Sequence, residues 1–196
     1  MEIPYTTEAR PDTGLTNPKL GIWLFLASEV MLFGSLFASY VLLRVGAEHW
    51  PDQSAVLSVP LASLNTVILI ASSVTMVLAW AAAKSDLLGR YRLYMGLTLL
   101  GGALFLVVKA FEYGDKFSHG LLPSTNNFLG LYFTMTGLHA FHVFAGMVVN
   151  AYLWIPGVRM WHHNRPQFVN RVEIAGIYWH FVDLVWIFLF PVLYLL

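Results

Sequence analysis

Apolar residues gather along this chain in five long blocks, at about 20–43, 58–83, 92–113, 128–154 and 174–196. A helix needs about 20 consecutive apolar residues to cross a bilayer, and every block is that long. No stretch alternates apolar and polar positions over some ten residues, as a barrel strand does. The pattern predicts an all-α, polytopic membrane protein, a bundle of five transmembrane helices forming one domain over residues 20–196. The third block is the least clean, because Lys109 and Glu112 fall in its last turns. Between the blocks lie the polar links "RVGAEHWPDQS", "KSDLLGRY", "GDKFSHGLLPSTNN" and "IPGVRMWHHNRPQFVNR". Pro60 suits the first turn of the second helix, where its missing N–H costs nothing. Ser124, Thr125 and Asn126 offer caps for the fourth. The opening "MEIPYTTEARPDTGLTNPK" lacks the basic-then-apolar layout of a cleaved signal peptide. It reads as a polar tail over residues 1–19, ended by Pro18. No internal repeat or low-complexity tract is visible.

Five crossings put the two termini on opposite sides. The tail, the second link and the fourth link share a side and hold Arg10, Lys19, Lys84, Arg90, Arg92, Arg159, Arg165 and Arg171. The other side holds Arg44 and Lys116, joined by Lys109 if that side chain snorkels outward. Lys and Arg mark the cytoplasmic side. The N-terminus is therefore expected in the cytoplasm and the C-terminus outside. Trp23, Trp80, Trp154 and Trp179 fall near the cytoplasmic ends of their blocks, as an aromatic belt would.

Composition agrees. Of 196 residues, 58% are hydrophobic and 11% charged, against about a quarter charged in soluble domains. The chain has no cysteine, which removes disulfides, thiolate metal sites and a cysteine nucleophile. Its formal net charge is zero, so nothing in bulk electrostatics favours nucleic acid.

The informative residues are the polar ones inside the blocks. Ionisable groups at a helix centre cost about 2.5–3.5 kcal/mol on insertion scales and usually face the bundle interior. Here they are Glu29 in the first block, His139 and His142 in the fourth, and His180 and Asp183 in the fifth, with Glu112 near the outer end of the third. Glu29, His139, His142 and Asp183 lie at comparable depth and can meet if their helices are neighbours. His139 and His142 are three residues apart and share a helix face. Gly146 follows on that face and lets another backbone approach closely. Asp183 with His180, or Glu29 with a fourth-block histidine, are the expected pairs. A lone carboxyl in lipid favours its neutral form, which can donate one hydrogen bond to a neighbour. Asn65 sits in the small-residue stripe "ASLNTVILIASSVTMVLAWAAA", which suits a core-facing helix with Asn65 bonded to a neighbour. Three roles stay open for these groups: interhelical glue, a proton-related or assembly-regulating role, and a ligand site.

Other chemistries fit poorly. Two histidines one turn apart with a carboxylate from another helix can hold zinc, but the fourth and fifth blocks do not supply two axial pairs for haem. No metal is expected on this chain. "WHHNRPQ" reads as a solvated or headgroup-facing patch. No serine or threonine shows a histidine–acid partnership, and there is no phosphate loop and no discontinuous helix pair of the transporter type.

The motifs "WLFLASEVMLF" (23–33), "PLASLNT" (60–66), "KAFEY" (109–113), "TGLHAFHV" (136–143) and "WHFVDLVWIFLF" (179–190) occur in this order. Together they resemble subunit III of the haem–copper oxidases, from about residue 18 to the C-terminus. The resemblance implies a noncatalytic subunit that carries no redox centre. Haem and copper belong to partner subunits. It implies subunit I as chief partner, subunits II and IV as others, membership of respiratory supercomplexes, and bound phospholipids in a bacterial cytoplasmic (inner) membrane. It further implies support of turnover and of proton uptake. The family's buried carboxyl corresponds to Glu29, its paired histidines to His139 and His142, and its final-helix motif to Trp179, His180 and Asp183. Arg159 and His163 fall about where members meet lipid headgroups. Longer members have seven helices, two of them forming one arm of a lipid cleft; this chain begins at what resembles their third. Two other readings remain: an accessory protein of a nitric oxide reductase system, separated by its purified partner, and a small proton-coupled transporter, separated by uptake in proteoliposomes.

Overall fold

A computed structural model describes residues 8–51 and 53–196; the first seven residues of the expected tail lie outside the described residues. Five long helices carry the fold: α1 (Asn17–Val45), α2 (Val59–Lys84), α3 (Leu88–Ser118), α4 (Asn127–Trp154) and α5 (Arg165–Phe190). All five are long and apolar enough to cross a membrane. The third begins before and ends beyond its apolar block. The fifth begins nine residues before its block, because Asn164 caps it by accepting from the Gln167 N–H at 3.2 Å and Pro166 sits in its first turn.

Local chemistry sets the other ends. Pro18 and Pro60 open α1 and α2, and Asn126 Oδ1 accepts from the Leu129 N–H at 2.8 Å to cap α4. Gly120 ends α3 in the left-handed conformation (φ +72°), so that the Leu121 N–H reaches back to the Lys116 carbonyl at 3.0 Å. Glycine takes that conformation without a side-chain clash. At Pro191 the missing N–H releases the α-helical pattern, and the chain continues as a wider π turn over Pro191–Leu195 that buries Leu193 and Tyr194.

α2, α3, α4 and α5 form a ring in which each helix packs on the next and α5 closes back on α2, while α1 lies outside against α4 and α5. The stripe in α2 faces the core, with Ala62, Asn65, Leu69, Ser72, Ser73, Met76, Ala79, Ala82 and Ala83 all buried. Small side chains allow this close approach. α1 is different. Its buried residues are Leu26, Phe33 and Tyr40, seven apart, a single narrow seam.

Trp179 departs from the expected belt. It is buried in the ring, with its indole N–H donating to Ser72 Oγ at 3.1 Å, because the early start of α5 carries it well into the bundle. Gly146 is what admits it: a Cβ there would lie 2.9 Å from the Trp179 ring and 3.0 Å from the Tyr178 ring. Gly146→Val is therefore expected to destabilise the bundle by about 1–3 kcal/mol, the usual cost of overpacking. Gly34→Ala, where nothing lies within 4 Å, should leave the thermal midpoint in detergent unchanged.

Candidate functional site

Two polar centres tie the helices together. The first joins α1 to α4. Glu29 Oε2 lies 3.0 Å from His142 Nε2, and His142 Nδ1 lies 2.8 Å from the Leu138 carbonyl. A carbonyl only accepts, so Nδ1 carries a proton. One further proton then lies between Nε2 and the carboxyl: on the imidazole, giving an ion pair, or on Glu29, giving two neutral groups. Either arrangement has zero net charge. The Phe33 ring packs edge-on against His142 at 5.4 Å, and the Tyr178 hydroxyl donates to the His142 carbonyl at 3.1 Å. The pair keeps slight access to the exterior, with side-chain exposures of 13% and 10%.

The second centre lies where the far end of α3 meets the near end of α4 and the π turn after α5. Glu112 Oε2 accepts from Lys109 Nζ at 2.8 Å. Glu112 Oε1 accepts from the hydroxyls of Tyr132 and Tyr194, both at 2.8 Å, and from Lys116 Nζ at 3.4 Å. Lys109 also donates to the Tyr194 hydroxyl at 2.6 Å. All three charged side chains are about 95% buried. Two cations face one carboxylate, and aromatic faces offset the excess positive charge. Lys109 Nζ lies 4.8 Å from the Trp186 ring centre and Lys116 Nζ 5.3 Å from that of Tyr132, within the roughly 6 Å over which a ring face attracts a cation.

The expected sites fare unevenly. Glu29 does meet a fourth-helix histidine, and that histidine is His142. Asp183 and His180 do not bond to each other: His180 Nδ1 lies 2.6 Å from Ser73 Oγ on α2, the same hydroxyl also meets the Asp183 carboxyl, and Asp183 Oδ1 is buried without a hydrogen-bond partner. The reason is geometric, since Ser73 stands across the α2–α5 contact and its hydroxyl takes up both side chains. His139 is fully buried between Phe105 and Trp186 rings. Asn65 donates to the Phe105 carbonyl at 3.5 Å. Arg159 and His163 are exposed in a short helix, Arg159–His163, that follows α4. Lys109 and Lys116, expected at the outer surface, are interior, because Glu112 and two tyrosines give them partners there. Among the described residues, no three His, Cys, Asp or Glu side chains gather as metal ligands. Tyr132, Tyr194 and the lysine partnership were missed. Lys109, Glu112 and Lys116 at i, i+3 and i+7 share one helix face, which was the available signal; nothing local to Tyr132 or Tyr194 announces a role.

A five-helix membrane bundle whose polar interior is made of interhelical pairs defines a class of multi-pass membrane proteins, and comparison with known proteins narrows it. The family described as "Cytochrome c oxidase subunit III" matches residues 11–196. The chain belongs to that family. It is 40% identical over 182 residues to cytochrome c oxidase subunit 3 of Thermostichus vulcanus, covering 90% of this chain and 86% of that one. It is 34% identical to cytochrome c oxidase subunit 3 of Bacillus sp. (strain PS3), covering 97% and 93%. It is 32% identical to cytochrome bo(3) ubiquinol oxidase subunit 3 of Pseudomonas aeruginosa, covering 100% and 92%.

Removing the Glu112 charge leaves two buried ammonium groups with one fewer anion. Breaking one partner of a buried ion pair costs about 3–5 kcal/mol, so Glu112→Gln is expected to lower the folded yield and thermal midpoint sharply. Tyr194→Phe, which removes one hydroxyl, is expected to cost about 1 kcal/mol in the same measurement.

Proposed function

We propose that this chain is a noncatalytic subunit III of a bacterial haem–copper terminal oxidase, in the cytoplasmic membrane, working as one domain with residues 1–19 as a cytoplasmic tail and the C-terminus outside. The observation that carries the reading is the family match across residues 11–196. In this reading the chain docks chiefly on subunit I, stabilises it, binds phospholipid and supports proton uptake, while haem and copper reside in partner subunits. Its relatives include subunits of both cytochrome c and ubiquinol oxidases, and the donor is a property of the partner subunits. The outward surface of α1 supports a docking role. It exposes Trp23, Leu24, Phe25, Met31 and Leu42, an apolar face suited to lipid or to a neighbouring helix. Arg159 and His163 are assigned to lipid headgroups, on their exposure beside the end of α4.

Gentle detergent extraction tests the reading. The chain is expected to leave the membrane with a large haem-bearing subunit, and to show no visible absorption once separated from it. Haem held by the separated chain, or substrate uptake by this chain alone in proteoliposomes, overturns the assignment.

Glu29 is assigned a local role in proton handling at its contact with His142. A glutamine can still donate to a bare Nε2, so Glu29→Gln is expected to preserve assembly and to abolish modification by a hydrophobic carbodiimide, read by mass spectrometry. Loss of docking in Glu29→Gln makes the residue structural and removes the proton role.

A further inference from the structure

We propose that His139 and Asn65 hold an internal water molecule at the centre of the four-helix ring. His139 on α4 is fully buried, and neither ring nitrogen has a hydrogen-bond partner in the protein. A neutral imidazole presents one N–H donor and one acceptor nitrogen. Leaving either buried and unpaired forfeits its hydration. Asn65 on α2 is equally buried, and its Oδ1 is also unpartnered.

Both side chains meet the same residue, Phe105. The His139 ring packs edge-on against Phe105 of α3 at 5.4 Å and stacks on Trp186 of α5 at 5.2 Å. Asn65 donates its amide to the Phe105 carbonyl, and the Trp186 indole N–H donates at 2.9 Å to Thr66 Oγ1, the residue next to Asn65. Phe105 and Trp186 thus hold both polar side chains at one level of the bundle, with one residue from each of the four helices.

The donor set selects the ligand. The ring offers a donor, and Asn65 offers an uncharged acceptor. Among the described residues His139 belongs to no group of three metal-ligating side chains, which leaves too few to hold a metal cation. A single N–H cannot hold an anion. An apolar guest leaves both polar groups unpaired. Water accepts from one and donates to the other, and buried waters typically bond about three such groups. The site stands one turn along α4 from His142 and one turn along α3 from Lys109, between the two polar centres. It is independent of the oxidase reading.

The wild-type complex, imaged by electron cryomicroscopy at a resolution that shows ordered water, is expected to carry density about 3 Å from both a His139 nitrogen and Asn65 Oδ1. A cycle of His139→Leu, Asn65→Leu and the double variant supplies the second readout. Each single change is expected to shift the folded-to-unfolded ratio about five- to tenfold, the scale of one unpaired buried group. The double variant is expected to fall no further than the worse single one, because the same water is lost. Absent density, a direct His139–Asn65 bond in the map, or effects that simply multiply overturn the proposal. If the variants do not fold, the wild-type map decides.

Discussion

The Glu112 carboxylate accepts four hydrogen bonds, from Lys109 and Lys116 on its own helix, Tyr132 on α4 and Tyr194 on the π turn. Where the surroundings are hydrocarbon, a polar group has only the protein to satisfy it. That constraint fixes how α3, α4 and the end of α5 meet. Any shift that freed one of the tyrosines would strip a donor from a buried anion, and any shift that withdrew Glu112 would leave two buried cations. The cluster tolerates its surplus cation because Trp186, Tyr132 and Tyr194 turn ring faces towards the lysines. Pro191 matters for the same reason. By ending the α-helical pattern it widens the chain into the turn that buries Tyr194 against Glu112.

α1 obeys the constraint with far fewer contacts. Its apolar seam is one residue in seven, and its polar ties to the rest of the bundle lie at three heights: Lys19 with Glu173 on α5, at 2.7 Å, Glu29 with His142 on α4, and Arg44 donating to the Leu196 carbonyl at the C-terminus. A narrow seam and a few ties orient a helix without enclosing it. Most of α1 is left facing outward, which is the geometry expected of an element shared between this bundle and something beside it.

The sequence carried the architecture because lipid imposes it. Five apolar blocks of sufficient length require five helices, and the small-residue stripe around Asn65 had to face a close neighbour. The pair Glu29–His142 was legible because a lone carboxyl at that depth needs a partner and the fourth block offered two histidines. Which histidine it takes was not legible, since His139 and His142 share a face and only the rotation of α4 against α1 separates them. Asp183 and His180 failed for a related reason: proximity in sequence suggested a pair, while the Ser73 hydroxyl across the helix contact meets both. Trp179 resembled a belt residue because its apolar block begins at about 174, whereas polar residues from Arg165 onward are helical too. Lys109 and Lys116 looked outward-bound because snorkelling is the default for a lysine near a helix end. The tyrosines that hold them inside lie 16 or more residues away in sequence.

A glutamate persists in an apolar helix where its proton is held at little electrostatic cost. Moving an isolated charge of carboxylate size into a low-dielectric interior costs several kcal/mol even after relaxation, so a single buried acid would resist changing state. The Glu29–His142 pair avoids that. Its Nδ1 proton is committed to the Leu138 carbonyl, and the net charge is zero whether the proton between Nε2 and the carboxyl sits on His142 or on Glu29. What changes is the dipole across the α1–α4 contact, at a place still slightly open to the exterior. A neighbouring charge, approaching from the outward side of α1, would favour one arrangement over the other without unpairing either residue. The same geometry therefore explains how a glutamate persists in an apolar helix.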